Sequence, residues 1–489
     1  MLARTLTLLT CAVALSTFSA AQTPTLVKDI NPTGNSGVAY LTCSGGGVYF
    51  SANDGVHGVE LWKSDGTEAG TVMIRDLNPG TGNGVPANFM VFNGVLHFTA
   101  TDGVNGVQLW RTDGTEGGTQ VVLSIADVDG LIDWAEFAPL GDRIFFRGRD
   151  AVVGSELWST DGTAAGTQLF LDIDPGIANS GIDDPMVYDG KLYFEASNAT
   201  YGAEPWICDG TVAGTHMIAE TVVGSGSPGT TPSLFTGAGG LVFFRAATGA
   251  TGDELWATDG TEAGTGLVRD IYPGTNTSFP SNFIEHNGQL HLRAFPTAGS
   301  STALIWQSDG TQAGTVSLPT FGYTNPDNIC SHNGSLYFTA LGSTTYRQLW
   351  RTDGTASGTN EILFPGSDVI SPFSGAAPML SCNGALFFRA NYLTSVGQEL
   401  YALDLTTGIE EADQDIARIH PNPATSQLSM AAFPANATLS LFTTDGRLAL
   451  TSSKKTQVDI DVLPAGVYAA RVQDNEGRML HHQLVVIEH

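Results

Sequence analysis

The feature that most constrains the fold is a heptapeptide, Asp-Gly-Thr-x-x-Gly-Thr, that occurs seven times between residues 65 and 359. A tryptophan precedes each aspartate by three residues, and successive tryptophans are separated by 48, 48, 48, 50, 50 and 44 residues. A repeat of about this length is typical of one blade of a β-propeller or one unit of a solenoid. The repeated residues are Asp65, Asp113, Asp161, Asp209, Asp259, Asp309 and Asp353, with Trp62, Trp110, Trp158, Trp206, Trp256, Trp306 and Trp350.

Each repeat carries four strand signals separated by turn residues. An Asn-Gly pair such as Asn93-Gly94 precedes an apolar strand. This strand is followed by the tryptophan strand, the Asp-Gly-Thr turn, a third strand such as residues 72–77 and a short fourth strand. Because Gly accepts positive φ and Asn and Asp tolerate it, these pairs favour tight hairpins. No amphipathic helical pattern of about ten residues interrupts the series, so we predict an all-β fold.

The two ends of the array indicate how it closes. Residues 27–32 match residues 74–79, the third strand of a repeat, whereas the array finishes at Glu399-Leu400-Tyr401 with a tryptophan-type strand that lacks its third strand. A ring that joins these fragments has no free sheet edge. We therefore predict an eight-bladed β-propeller over residues 22–408, closed by the N-terminal strand. A seven-bladed ring and an open β-solenoid remain alternatives.

The repeat also has a family resemblance. Glu60-Leu61-Trp62 and Glu254-Leu255-Trp256, each followed by Asp-Gly-Thr, resemble the ELWxxDGT repeat of bacterial secreted proteins. The resemblance covers nearly all of the chain between its two ends.

The first 21 residues are predicted to be a secretory signal peptide. Arg4 is followed by an apolar run over residues 6–15, and Ser19 and Ala21 take the small-residue positions before a cleavage site at Gln22. No other segment approaches the ~18 consecutive apolar residues of a membrane-spanning helix.

The C-terminal part differs in composition from the repeats. An acidic, glycine-free stretch within residues 409–416 is interpreted as a linker, and residues 417–489 contain short alternating strands that predict a small Ig-like β-sandwich. His420-Pro421-Asn422-Pro423-Ala424, the segment 441–447 and the segment 463–468 resemble the type A sorting domain of the bacterial type IX secretion system. The basic residue usual near the end of that family is absent.

This resemblance implies where the protein is localised and which partners it has. It implies export to the cell surface or secretion, after passage through the periplasm, with the type IX machinery and a sortase as partners of residues 417–489. The whole chain has 49 acidic and 21 basic residues, a net charge of −28. Such a charge argues against binding nucleic acid or an anionic membrane surface.

The repeated residues favour structural roles. A large aromatic side chain at one position of every blade is expected to fill the space between adjacent sheets. Trp134 lies outside the register and is a candidate for an exposed contact. The repeated aspartates are expected to fix turns, since one Asp followed by Gly supplies too few oxygens for calcium. Asp127, Asp129 and Asp133 are candidate calcium ligands without an EF-hand pattern.

The remaining chemistry-bearing residues are sparse. The glutamate before several of the tryptophans is expected to make a local hydrogen bond. Cys43, Cys208, Cys330 and Cys382 could form two disulfides, but their positions in apolar runs favour buried thiols. The histidines His216, His286, His291 and His332 show no metal-binding spacing.

No catalytic motif or cofactor site is recognised, which favours a binding, adhesion or structural surface module for an extracellular glycan or protein. The alternative is a secreted glycan hydrolase or lyase. It predicts that Asp or Glu residues that break the repeat cluster at one mouth of the central channel.

Overall fold

All regular secondary structure in the described residues is β-strand. The structure, a computed structural model, describes residues 23–123, 135–221, 231–297, 300–342, 346–364, 373, 378–403, 419–420, 426–430, 437–443, 448–453, 457–474 and 479–487. It divides into two compact units at residue 405. The predicted signal peptide and linker, and the candidates Asp127, Asp129, Asp133 and Trp134, lie outside the described residues.

The first unit contains eight four-stranded antiparallel sheets, named blades 1–8 here. In blades 1–4 the strands run from the innermost to the outermost in chain order: β2 (Ala39–Ser44), β3 (Gly47–Asn53), β4 (Val59–Ser64) and β5 (Val72–Arg75); β6 (Ala87–Phe92), β7 (Val95–Thr101), β8 (Val107–Thr112) and β9 (Gln120–Leu123); β10 (Ala135–Leu140), β11 (Arg143–Asp150), β12 (Gly154–Thr160) and β13 (Gln168–Leu171); β14 (Asp183–Tyr188), β15 (Lys191–Asn198), β16 (Gly202–Cys208) and β17 (His216–Met217).

Blades 5–7 repeat this order, and blade 8 takes its outermost strand from the N-terminus. Their strands are β18 (Ser233–Ala238), β19 (Leu241–Thr248), β20 (Gly252–Thr258) and β21 (Gly266–Arg269); β22 (Ser281–His286), β23 (Gln289–Ala294), β24 (Leu304–Ser308) and β25 (Val316–Ser317); β26 (Thr324–His332), β27 (Ser335–Leu341), β28 (Arg347–Thr352) and β29 (Asn360–Ile362); and β30 (Met379–Cys382), β31 (Ala385–Ala390), β32 (Glu399–Leu403) and β1 (Thr25–Lys28).

The innermost strands form a closed ring. Each packs against the innermost strand of the next blade, from β2 through to β30, and β30 packs against β2. The eight-bladed β-propeller is therefore confirmed, and the seven-bladed and open-solenoid alternatives are wrong. The outermost strand of blade 8 is β1, which pairs antiparallel with β32 and places Leu26 opposite Tyr401.

The repeated tryptophan faces an apolar residue on the second strand of its own blade. Trp62 is opposite Phe50, Trp110 is opposite Phe98, and blade 8 has Tyr401 opposite Phe388. Such pairs stabilise a sheet, and both faces of each second strand are buried because a neighbouring blade covers them. A separate apolar core consequently lies between every pair of adjacent blades.

The second unit contains two antiparallel sheets. One has the order β33 (Ile419–His420), β34 (Gln427–Met430), β37 (Gln457–Asp459), and the other has the order β36 (Leu448–Ser453), β35 (Ala437–Thr443), β38 (Gly466–Asp474), β39 (Met479–Ile487). Leu428 and Val458 of the first sheet share one buried cluster with Leu439 and Leu441 of the second.

Candidate channel-mouth site

The repeated tryptophans lie in the cores between blades. Six of the seven are buried, and Trp158 is partly buried. Two of them also carry an arginine from the preceding blade over the ring: Arg75 lies 5.6 Å from the Trp110 ring centroid and Arg269 lies 5.5 Å from that of Trp306. These aromatic rings therefore pack in the apolar cores and contact the neighbouring blades.

Each repeated aspartate closes its own turn. In the first copy, Asp65 Oδ1 accepts hydrogen bonds from the Thr67 amide at 2.9 Å and from its hydroxyl at 2.7 Å. The Thr67 hydroxyl in turn accepts a bond from the Gly70 amide at 2.9 Å. The Thr67 hydroxyl bond, followed by the amide bond, holds the pKa of Asp65 below its usual value. The same contacts recur in the other six copies.

The glutamate before the tryptophan holds the connection that leads to the next blade. Glu254 is fully buried and accepts bonds from the amides of Ile271 at 2.8 Å, Tyr272 at 3.2 Å and Ser278 at 3.1 Å. Burial raises the pKa of Glu254 to about 7, although these donors oppose the shift. The predicted hydrogen-bonding role is confirmed, but the partners lie 17 to 24 residues ahead rather than locally.

The same contact recurs across the junction of blades 8 and 1. Glu399 accepts bonds from the amides of Ile30 at 3.0 Å and Ser36 at 3.2 Å. In the other blades that have this glutamate, the glutamate and the amides that it binds lie in one continuous segment of the chain. At this junction the same hydrogen bonds join residues from opposite ends of the propeller sequence.

The structure differs from the expectation that all four cysteines are buried thiols. Cys43 and Cys382 form a disulfide, with Cα atoms 5.6 Å apart, and Cys43 is exposed rather than buried. The preference for four buried thiols was wrong for this pair, because ring closure brings the first and last innermost strands together. Cys208 and Cys330 are buried free thiols.

Two histidines occupy the repeat position that Cys382 takes in blade 8. His286 Nδ1 lies 2.8 Å from Ser331 Oγ in the next blade, and His332 Nδ1 lies 2.8 Å from Ser381 Oγ. Side chains at this position therefore link adjacent innermost strands. Within the described part of the chain, no group of three or more His, Cys, Asp or Glu side chains is placed to hold a metal ion.

The innermost strands share an unusual backbone near their first residue. A β-bulge follows the first residue of β2, β6, β14, β18 and β22, and the next residue has positive φ. These left-handed residues are Tyr40, Asn88, Asp184, Leu234 and Asn282. Asn and Asp accept this conformation readily, whereas Tyr40 and Leu234 are strained by it. Bulges of this kind re-aim side chains and occur near functional sites.

Three of these residues line a cavity of about 320 Å³. Asn88, Asp184 and Leu234 belong to blades 2, 4 and 5, so a cavity that they share lies on the central channel. The first residues of the innermost strands mark one end of the channel, which we call the channel mouth. The rest of the lining is Phe89, Phe137, Pro185, Met186 and Phe235.

Carboxyl groups gather on the blade 4 side of this cavity. Asp183 is directly opposite Glu195 in strand register, and Asp184 follows it. Glu195 is only 9% exposed, and burial, followed by Asp183 and Asp184, raises the pKa of its carboxyl to about 8. The equivalent positions in the neighbouring blades 3 and 5 are Arg147 and Arg245, so Glu195 departs from the surrounding pattern.

None of these cavity residues belongs to the repeat motifs that are evident in the sequence. A signal was present: a proline, a small residue, an asparagine and a phenylalanine recur as Pro86-Ala87-Asn88-Phe89 and Pro280-Ser281-Asn282-Phe283. The repeated residues that the sequence analysis singled out lie in cores and turns, and the channel mouth is built from this less regular motif.

Comparisons with known proteins identify the C-terminal segment. Residues 418–487 match the family described as the secretion system C-terminal sorting domain. The predicted type IX sorting domain is confirmed, and it directs export to the cell surface or secretion and implies contact with the secretion machinery. No helix within the described ranges has the length and apolar character needed to cross a membrane.

Among solved structures, PorZ of Porphyromonas gingivalis, an essential bacterial surface component of the type IX secretion system, is 14% identical, with a TM-score of 0.42 over 95% of this chain and 70% of that chain. The computationally designed Ika8 protein is 14% identical, with a TM-score of 0.43 over 78% of this chain and 99% of that chain. A puromycin hydrolase is 15% identical, with a TM-score of 0.45 over 74% of this chain and 60% of that chain. No curated protein matches the chain. Similarities this distant carry no information about activity, so the comparisons establish a C-terminal sorting domain of the secretion system on this propeller.

Proposed function

We propose that the protein is an exported glycan-binding module, acting in adhesion or as a surface component, whose ligand site is the channel mouth. The observation that carries this proposal is the cavity lined by residues of blades 2 to 5, because such a site depends on the packing of several blades around the channel. Aromatic rings and a few polar groups in one concave site are typical of small-ligand recognition. Phe89, Phe137 and Asn88 supply these groups here.

Ring closure is part of the proposal. The N-terminal strand β1 closes the ring by completing blade 8, supported by its pairing with β32 and by the bonds from Ile30 and Ser36 to Glu399. Residues 1–21 are removed as a signal peptide, and residues 417–489 form an Ig-like sandwich that the type IX machinery and a sortase recognise. A core drawn from both C-terminal sheets supports a sandwich.

The test is binding of the full chain to a glycan array. The wild-type protein is expected to bind a defined set of glycans. Phe137→Ala should bind the same glycans about tenfold more weakly, since an aromatic contact is removed. Phe279→Ala is the matched control, because Phe279 is 56% exposed and does not line the cavity. Failure of wild type to retain any glycan, or equal losses in the two variants, would contradict the proposal.

A second function is supported by the carboxyl groups. The alternative of a glycan hydrolase or lyase predicts pattern-breaking acidic residues at one mouth of the channel. Asp184 lines the cavity, and the preceding Asp183 is opposite Glu195 in strand register. A protonated carboxyl beside an ionised one is the arrangement that glycan hydrolysis requires. Release of reducing sugar by wild type, abolished in Glu195→Gln, would establish this activity, and retention without turnover would establish binding alone.

A further inference from the structure

We propose that the channel mouth recognises a positively charged amino sugar in the glycan; this inference rests on the proposed glycan-binding function. The lining combines three phenylalanines with the Asp184 carboxylate and contains no Lys, Arg or His. Aromatic faces carry negative electrostatic potential and attract organic ammonium groups, and a nearby carboxylate adds to that attraction. A neutral sugar would use the rings but leave the carboxylate without a charged partner.

The three phenylalanine rings are held in place from behind. Each stacks on a phenylalanine of the second strand of its own blade: Phe89 on Phe98, Phe137 on Phe146, and Phe235 on Phe244, with centroids 5.4–5.7 Å apart. This stacking fixes the orientation of each ring, and all three residues line the cavity. Rings fixed in this way lose little conformational entropy on binding.

One oxygen of the Asp184 carboxylate can accept a hydrogen bond from a ligand. Its Oδ2 accepts a bond from the Leu234 amide at 2.9 Å, and Oδ1 has no hydrogen-bond partner among the described residues. The positive φ of Asp184 and the adjoining bulge set the direction of this side chain. One oxygen is thus anchored to the next blade, while the other is free to accept a bond from an ammonium group.

Asp183 adds a second carboxylate beside Asp184. Neither of the two forms an ion pair in the part of the chain that the structure describes, and Arg147 of blade 3 donates to the Ile182 carbonyl at 2.9 Å. Burial, followed by Asp183 and Asp184, raises the pKa of Glu195 to about 8, so this neighbouring carboxyl is largely neutral at neutral pH and the charge comes from Asp183 and Asp184. With a net charge of −28 on the whole chain, the surrounding field also attracts cations.

The cavity volume limits the size of the bound group. A volume of about 320 Å³ lies at the small end of the range of about 300–1,000 Å³ for small-molecule sites. We therefore expect one sugar unit to enter the cavity, with the rest of the glycan outside.

The experiment is calorimetric titration of the full chain with the fully deacetylated glucosamine tetramer and with cellotetraose. These β-1,4-linked sugars differ at carbon 2, where one carries an ammonium group and the other a hydroxyl. At a pH where the amines are charged, the glucosamine tetramer is expected to bind at least about tenfold more tightly. Asp184→Asn should remove most of that preference, and a thermal melt checks that the variant is folded.

Glu262→Gln is the control for net charge, since Glu262 is exposed and belongs to an Asp-Gly-Thr turn remote from the cavity lining. It should leave both affinities unchanged. Equal affinity for the two sugars, or an undiminished preference in a folded Asp184→Asn variant, would overturn the inference. Retention of neutral glycans on the array without this preference would overturn only the amino-sugar inference, whereas an array with no retained glycan contradicts the proposed function itself.

Discussion

Cys43 and Cys382, separated by 339 residues in the chain, are joined by a disulfide between the innermost strands of the first and last blades. At the opposite, outer edge of blade 8, β1 pairs with β32. The junction between the two ends of the propeller is therefore linked covalently near the channel and by hydrogen bonds at its periphery.

Removal of the disulfide should destabilise the ring. Cys43→Ser combined with Cys382→Ser is expected to lower the free energy of unfolding by about 2–5 kcal/mol, because the cross-link restricts the unfolded chain. Denaturant titration with and without reductant measures this. The unfolding free energy of the wild-type protein should fall when the disulfide is reduced, and that of the double variant should not change with reductant. Equal stability of oxidised and reduced wild type would show that the disulfide does not constrain the ring.

The buried glutamates should contribute through their acceptor oxygens. Glu254→Ala leaves the amides of Ile271, Tyr272 and Ser278 without their acceptor, so we expect a loss of at least about 3 kcal/mol in unfolding free energy. Glu254→Gln keeps one acceptor and should lose less. Glu262→Ala, at an exposed position, is the control and should change stability by less than about 0.5 kcal/mol. A Glu254→Ala variant as stable as this control would refute the role.

Stability should pass through a maximum in mildly acidic solution. Burial raises the pKa of Glu60, Glu156, Glu254 and Glu399 to about 7, above the value in an unfolded chain. Their contribution is full below the unfolded-state pKa and is lost as pH rises through about 7. The turn aspartates, such as Asp259, have lowered pKa values, so their contribution is lost on acidification.

Melting temperature measured between pH 4 and pH 9 tests this account. We expect it to fall on both sides of the maximum, and Glu254→Gln to flatten the alkaline side, since one titrating carboxyl is removed. A melting temperature that rises steadily through pH 7 would contradict the assigned shifts.

The second glycine of the Asp-Gly-Thr motif should tolerate no side chain. A Cβ at Gly264 would lie 2.2 Å from Asp259 Cγ, whereas a Cβ at Gly266, two residues later, would meet nothing within 4 Å. Gly264→Ala is expected to cost about 1–3 kcal/mol, and Gly266→Ala should be nearly neutral. Chemical denaturation of the pair distinguishes them, and equal stability would mean that the turn relaxes around the new methyl group.

The sequence predicted the blades well because each blade repeats the same packing. Trp62 and its six equivalents mark one strand per blade, and the split repeat at residues 27–32 and 399–401 predicted the eighth. The disulfide could not be predicted in this way, since Cys43 and Cys382 occupy different repeat positions and meet only when the ring closes. The cavity was missed because it depends on bulges and on side chains that differ from blade to blade, such as Asp184 and Leu234.

The most direct test of the central claim is hydrogen–deuterium exchange of the full chain with and without the glycan retained most strongly on the array. The account predicts that protection is confined to the innermost strands that line the cavity, namely residues 87–92, 135–140, 183–188 and 233–238. Protection confined to the Asp-Gly-Thr turns or to the C-terminal unit would contradict a channel-mouth site.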